Sequence, residues 1–140
     1  MSDCKVCLQD IAMTFQTPEG ETEAIQSISL DVYEGEFVSI VGPSGCGKST
    51  ILNILAGLLE PTRGTVKVQG KVGYMFQKDH LFEWRNVLRN CLIGPEIQKQ
   101  DLKSARTYVE QLLCKYGLGD FLYHYPRQLS GGMRQRVALI

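Results

Sequence analysis

One run of residues carries the most specific chemistry in this sequence: Gly42-Pro43-Ser44-Gly45-Cys46-Gly47-Lys48-Ser49, followed by Thr50, satisfies the pattern G-x-x-x-x-G-K-[ST]. Glycines at 42, 45 and 47 let the backbone curl so that successive N–H groups point into one concavity, and a helix starting there adds its positive end. Such a cavity suits phosphate. Lys48 would reach the β- and γ-phosphates of a nucleotide as a point charge, Ser49 would ligate Mg²⁺, and Thr50 would support the α-phosphate side. Pro43, Ser44 and Cys46 fill the positions the pattern leaves open. Cys46 beside Lys48 at a helix start has the setting that lowers a thiol pKa. Because the pattern accepts any residue there, occupancy is favoured over a redox role.

A second signal is Leu129-Ser130-Gly131-Gly132-Met133-Arg134-Gln135-Arg136, preceded by Tyr125-Pro126-Arg127-Gln128. A serine and two glycines opening a helix offer a hydroxyl and exposed N–H groups, which again can hold an anion. Alone this would be an ordinary helix cap. Paired with the first loop in one chain it points to a nucleotide.

The elements around these loops determine whether the chemistry is credible. Phe37 to Val41 is a nearly unbroken apolar run, the pattern of a strand covered on both faces, and a helix follows from Lys48 with Ile51, Leu52, Ile54 and Leu55 before Gly57 stops it. Upstream, Val6 to Phe15 and Ile28 to Tyr33 alternate as strands, with Gln16 to Glu23 as a polar loop between them. Thr65 to Gln69 and Val72 to Phe76 read as strands around Gly70. The second half is helical: Leu102, Ala105, Val109, Leu112, Leu113 and Tyr116 recur at three- and four-residue steps, Gly117-Leu118-Gly119 ends that helix, and Gly131 to Ile140 opens another.

Composition excludes several classes. With 140 residues, 44% of them hydrophobic, the chain suits one globular α/β domain rather than a disordered segment. Fifteen basic residues balance fifteen acidic ones, so no net field would hold nucleic acid. The longest strongly apolar stretch, Ile51 to Leu59, is far too short for a membrane helix, and Met1 to Lys5 lacks the start of a secretory signal. Five scattered cysteines argue against a disulfide framework, and Cys4 and Cys7, though spaced like half a metal site, have no partner pair and read as two thiols on an edge strand.

On these residues the chain resembles the ATP-binding subunit of an ABC transporter. Leu129 to Met133 is similar to the family's LSGGQ-type signature, with Met133 in place of Gln. The resemblance implies a P-loop NTPase α/β fold, incomplete here: an N-terminal β-rich and P-loop core (1–76), a Q-loop region (77–89) and a helical subdomain with the signature (90–140). It implies that Gln77 is the Q-loop glutamine, a second Mg²⁺ ligand with Ser49, and that Phe15 stacks on the adenine of ATP. Leu129, Ser130, Gly131, Gly132 and Met133 would contact the ATP of a second subunit in a homodimer or heterodimer. Asp79 to Val87 and Tyr125 to Val137 are most similar to importers of the nitrate, sulfonate and taurine type, with Glu83 where that group has Pro. A membrane permease, and indirectly a periplasmic or extracellular solute-binding protein, would be the partners, with the subunit peripheral on the cytoplasmic face of the membrane. Leu81, Phe82 and Trp84 are expected to face the partner, with helix packing the alternative for Trp84.

In the family the Walker B Asp, catalytic Glu and H-loop His follow the signature helix. No apolar run ending in Asp-Glu occurs in these 140 residues, so the chain is expected to be an N-terminal part that binds ATP without hydrolysing it. Strands beyond the signature would lie between Phe37–Val41 and Val72–Phe76, so both are expected to lack neighbours and to favour aggregation. A non-transporting nucleotide-binding or regulatory module is the alternative. A small-molecule kinase shares the first loop and leaves Leu129 to Met133 without a reason.

Overall fold

The structure is a computed structural model describing residues 3–18 and 20–140. The chain divides into two compact units, Met1–Tyr74 and Met75–Ile140.

The first unit is built on three antiparallel strands, β1 (Cys4–Thr17), β2 (Gly20–Tyr33) and β3 (Arg63–Val68), in the order β2-β1-β3. Helix α1 (Lys48–Leu55) places Ile51 and Ile54 in one core with Leu8, Ile11, Met13 and Ile25. Strict alternation would put Leu8 and Ile11 on opposite faces. A register shift between them restores both to the core, and it is centred on Asp10, whose φ is 49°. Gly64 packs against this irregularity so closely that a Cβ there would lie 2.5 Å from the carbonyl oxygens of both Gln9 and Asp10. At its far end α1 stops as expected: Gly57 is left-handed (φ 70°), and Leu58 N–H donates to Asn53 C=O at 2.9 Å.

Four expectations fail in this unit. Gln16–Thr17 and Gly20–Glu23, expected in a loop, are instead strand residues: Thr17 pairs with Gly20, Gln16 with Glu21 and Thr14 with Glu23. Gln16, Thr17, Gly20, Glu21, Thr22 and Glu23 are all exposed, so this end of the hairpin extends beyond the core and both of its faces accept polar side chains. Cys4 and Cys7 lie not on an edge but on the central strand, and both thiols are free. Neither Phe37–Val41 nor Val72–Phe76 is a strand: among the described residues neither joins a ladder, and Phe37 and Val41 are 95% and 90% exposed. Apolar character alone does not make a strand, which is defined by a ladder of backbone hydrogen bonds to a second segment.

The second unit is helical. Short helices α2 (Val87–Cys91) and α3 (Ile93–Ile97), not foreseen from the sequence, precede α4 (Leu102–Lys115) and α5 (Gly131–Leu139). Val87, Leu88, Leu92, Val109, Leu113, Leu118, Leu129 and Val137 form its core. Asp101 caps α4 by accepting from the Lys103 and Ser104 N–H groups at 3.2 and 3.1 Å, and Gly117 ends it in the left-handed region. The face of α4 is narrower than its periodicity suggested: Val109 and Leu113 are buried, whereas Leu102 and Tyr116 at its ends are exposed.

Candidate functional site

The loop Gly42 to Thr50 is shaped by contacts that only glycine permits. Gly47 has φ 88°, and a Cβ on it would lie 2.6 Å from the Ala24 carbonyl oxygen, so the loop passes directly over β2 at this point. Gly42 lies under the Cys46 thiol, 2.7 Å from where its own Cβ would be. Gly45 is left-handed (φ 83°) with open space around it. From Gly47 the chain enters α1 with no side-chain cap and no acidic residue in the first turn. The first intrahelical bond is Ile51 N–H to Gly47 C=O at 2.9 Å, so the Lys48, Ser49 and Thr50 N–H groups have no acceptor among the described residues.

Lys48 folds over this loop. Its Nζ donates to the Gly42 carbonyl at 2.7 Å and to the Pro43 carbonyl, with the Cys46 Sγ at 3.5 Å. These acceptors are neutral, and Lys48 forms no ion pair among the described residues. An uncompensated ammonium, unpaired helix N–H groups and glycines that leave the concavity clear together fit a polyphosphate. Ser49 is exposed, whereas Thr50 is half-buried. A groove of about 420 Å³ beside Lys48 and Ser49 is otherwise apolar, lined by Val6, Leu30, Val38, Ile40, Leu52 and other aliphatic residues. Phe15, on β1, is half-buried against the same core.

The second unit brings the other predicted residues together. Ser130 caps α5, its Oγ accepting from Met133 N–H at 3.3 Å. The Leu129 side chain is 5% exposed in the core and Met133 packs on that core, so Ser130, Gly131 and Gly132 are the part of the motif presented to solvent. Gln77, Asp79, Glu83, Gly131, Arg134 and Gln135 border one polar cleft of about 510 Å³. Arg134 ties its two sides: Nε donates to Asp79 Oδ2 at 2.9 Å and Nη1 to Leu129 C=O at 3.3 Å. Partial burial pushes the Asp79 carboxyl up, but hydrogen bonds from Arg134 and the Leu81 N–H outweigh it, so its pKa lies below the ordinary value. Arg136 braces the other flank by donating to Tyr116 C=O at 2.8 Å and Gly132 C=O at 3.4 Å. Neither arginine was singled out as a positioning residue from the sequence, although both lie within the motif run. Of the residues expected to face a partner, Trp84 is 74% exposed and stacks on Phe82 with ring centroids 4.8 Å apart, whereas Leu81 packs on the core.

Residues 25–140 match the profile of the ABC transporter family. The chain belongs to that family. It is 45% identical over 141 residues to the taurine import ATP-binding protein of Ruegeria pomeroyi, covering 94% of this chain and 53% of that protein. It is 39% identical to the spermidine/putrescine import ATP-binding protein of Thermobifida fusca, covering 96% of this chain and 38% of that protein. Among solved structures it is similar to the dimeric ATP-binding cassette MJ0796 in a post-hydrolysis state bound to ADP and Pi, with 35% identity, a TM-score of 0.85, and coverage of 96% of this chain and 67% of that one. The fold is therefore that of an ABC ATPase cassette in part, as the resemblance implied. The chain spans about half the length of the taurine import relatives it matches. Among the described residues no helix is long and apolar enough to cross a membrane, and no group of His, Cys, Asp or Glu could hold a metal ion.

Proposed function

We propose that the chain is the nucleotide-binding part of the ATP-binding subunit of an importer, in which ATP binding and hydrolysis drive solute uptake. The observation that carries this reading is the start of α1: a helix without a side-chain cap, and over a glycine loop a lysine bonded only to neutral acceptors, with no ion pair among the described residues. ATP with Mg²⁺, when bound, supplies the triphosphate charge and the anhydride bond whose cleavage drives transport. The N–H groups from Gly45 to Thr50 would hold the phosphates, Lys48 would offset their charge, Ser49 and Gln77 would ligate Mg²⁺, and Phe15 would stack on adenine. Gly42, Pro43, Ser44 and Cys46 complete the loop. Ser130, Gly131 and Gly132, held by Leu129 and Met133, would contact the nucleotide of a second subunit in a homodimer or heterodimer. Residues 1–76, 77–89 and 90–140 would act as P-loop core, Q-loop region and helical subdomain.

The surface around Phe82 and Trp84 would meet a membrane permease at the cytoplasmic face, with a solute-binding protein on the other side of the membrane. The name of the first relative supports a taurine-like solute, whereas the second is named for a polyamine at nearly the same identity. Solute choice therefore belongs to the partners. Hydrolysis needs a metal-bound carboxylate and a group that orients water. Since no apolar run ending in Asp-Glu occurs in the sequence, we infer that residues 1–140 by themselves would bind ATP without turning it over. Lys48→Ala tests the reading: loss of a charge-assisted contact should weaken ATP binding about 10- to 100-fold by calorimetric titration. Unchanged affinity in a folded variant would refute the assignment.

A further inference from the structure

Strand β1 lies between β2 and β3, but not along its whole length. Its pairing with β3 ends at Ala12 opposite Arg63, whereas its pairing with β2 runs on to Thr17. From Met13 onward, among the described residues, β1 therefore has an open edge on the β3 side, and Phe15 lies in this stretch. The β2 side is irregular at the same level. Met13 pairs with Ile25 and Thr14 with Glu23, which leaves Ala24 as an extra residue in the ladder.

Thr62 closes the open edge. An exposed residue immediately before β3, it donates its own N–H to Ala12 C=O at 2.9 Å, and its Oγ1 accepts from Thr14 N–H at 3.0 Å. The same hydroxyl donates to Met13 Sδ at 3.8 Å, a weak acceptor. One side chain thus replaces the missing strand at the residue before Phe15. The bond is exposed, so without Thr62 water would satisfy the Thr14 amide and little stability would be lost. What the bond fixes is the direction of β1.

That direction bears on the loop Gly42 to Thr50. Gly47 lies over Ala24 and Ile25: a Cβ on it would be 2.6 Å from the Ala24 carbonyl oxygen and 3.1 Å from Ile25 Cγ1. Ile25 faces Met13 across the ladder, and Phe15 follows Met13 on the same face of β1, about 7 Å further along the strand. Phe15 is accordingly packed on the core that contains Met13 and Ile51. The ring stands one step from the loop, on an arm that Thr62 braces.

We propose that Thr62 is a positioning residue for the nucleobase: its hydroxyl fixes the β1 backbone at Thr14 so that the Phe15 ring is preset to stack on the adenine of a nucleotide whose phosphates lie at Gly42 to Thr50. The inference rests on the reading that Phe15 stacks on adenine. Thr62 acts only through β1, and the gain is preorganisation, since a ring already in place has less freedom to lose on binding.

Calorimetric titration of the 140-residue chain with ATP and with inorganic tripolyphosphate, each with Mg²⁺, gives a ratio of affinities that isolates what adenosine adds. Phe15→Ala should lower that ratio about 5- to 100-fold, the range for a base stacked on an aromatic ring. Thr62→Val, which keeps the side-chain shape and removes the hydroxyl, should lower it about 3-fold or more while leaving tripolyphosphate affinity unchanged. Thr62→Ser, which keeps the hydroxyl, should stay within about 2-fold of the wild type. An unchanged ratio in Thr62→Val, an equal loss of both affinities, or a Thr62→Ser as impaired as Thr62→Val would overturn the proposal. An unchanged ratio in Phe15→Ala would instead remove the stacking reading, and the inference with it. Should Thr62→Val not fold, wild-type amide exchange decides: Thr14 N–H should exchange about 10-fold or more slowly than Gln16 N–H, which faces the same edge beyond the reach of Thr62. Equal rates would overturn it.

Discussion

Two helices in this chain start with glycine and serine-rich turns, and they start differently. At α1 the N-cap is Gly47 in the left-handed region, with no side chain to accept from the first turn. At α5 the cap is Ser130 in an extended conformation, its hydroxyl bonded to Met133 N–H. The surroundings differ as well. Gly47 cannot carry a side chain because β2 lies against it, whereas Gly131 and Gly132 have nothing within 4 Å of a Cβ and no positive φ. The glycine before α1 is demanded by the fold; those of α5 are not. The open space at 131 and 132 leaves room for the proposed contact to another subunit's nucleotide.

The largest test of this contrast is Gly47→Ala. Left-handed strain and a backbone clash together should cost the first unit about 2–4 kcal/mol, measured by urea unfolding. A loss under about 1 kcal/mol would show that the loop relaxes away from β2. Next is the brace that holds α5. Arg134→Leu removes a partly buried ion pair and should cost the helical unit about 1–2 kcal/mol. Its pH dependence should change too. Asp79 titrates below its ordinary value, as does Asp101, which the Ser104 hydroxyl and the Ser104 and Lys103 amides stabilise as a carboxylate. Groups lowered on folding add stability above their unfolded pKa of about 3.9, and it is lost as pH falls through the folded value. The wild-type helical unit should therefore weaken from about pH 4 downward, and Arg134→Leu should flatten that fall; parallel curves would assign the acid sensitivity to Asp101 alone.

Smaller still is Ser130→Ala, which loses one cap and should cost about 1 kcal/mol in the same unfolding experiment. The least disruptive change is Gly132→Ala. In an open helical position it should be neutral or stabilise by up to about 1 kcal/mol. A marked drop in midpoint would mean that the fold does require this glycine, and the contrast with Gly47 would collapse.

The parts of the site legible in the sequence were those set by local backbone chemistry. Gly42 to Thr50 forms a loop leading into a helix because glycine freedom and the helix start are encoded within nine consecutive residues. Ser130 caps α5 for the same reason, and Gly57 and Gly117 end their helices where left-handed residues were needed. The misses are equally specific. The β1 bulge at Asp10, supported by Gly64 far along the chain, re-phases the core and cannot be read from alternation. Helices α2 and α3 are too short for periodicity to reveal. The apolar runs at Phe37–Val41 and Val72–Phe76 have strand composition, yet a strand is a relation between two segments, and composition describes only one.

What the sequence determined by itself was therefore the pair of glycine-rich turns, the helices that follow them, and through these the family. Tertiary structure alone decided which atoms hold the chain in place: Ala24 C=O under Gly47, Asp79 against Arg134 across 55 positions, and the buried Asn90 amide on Phe82 N–H. The physical reason is range. Dihedral preference and capping act within one turn of chain and are written in neighbouring residues, whereas a close approach, an ion pair or a buried amide depends on which distant segment the fold brings within about 3 Å.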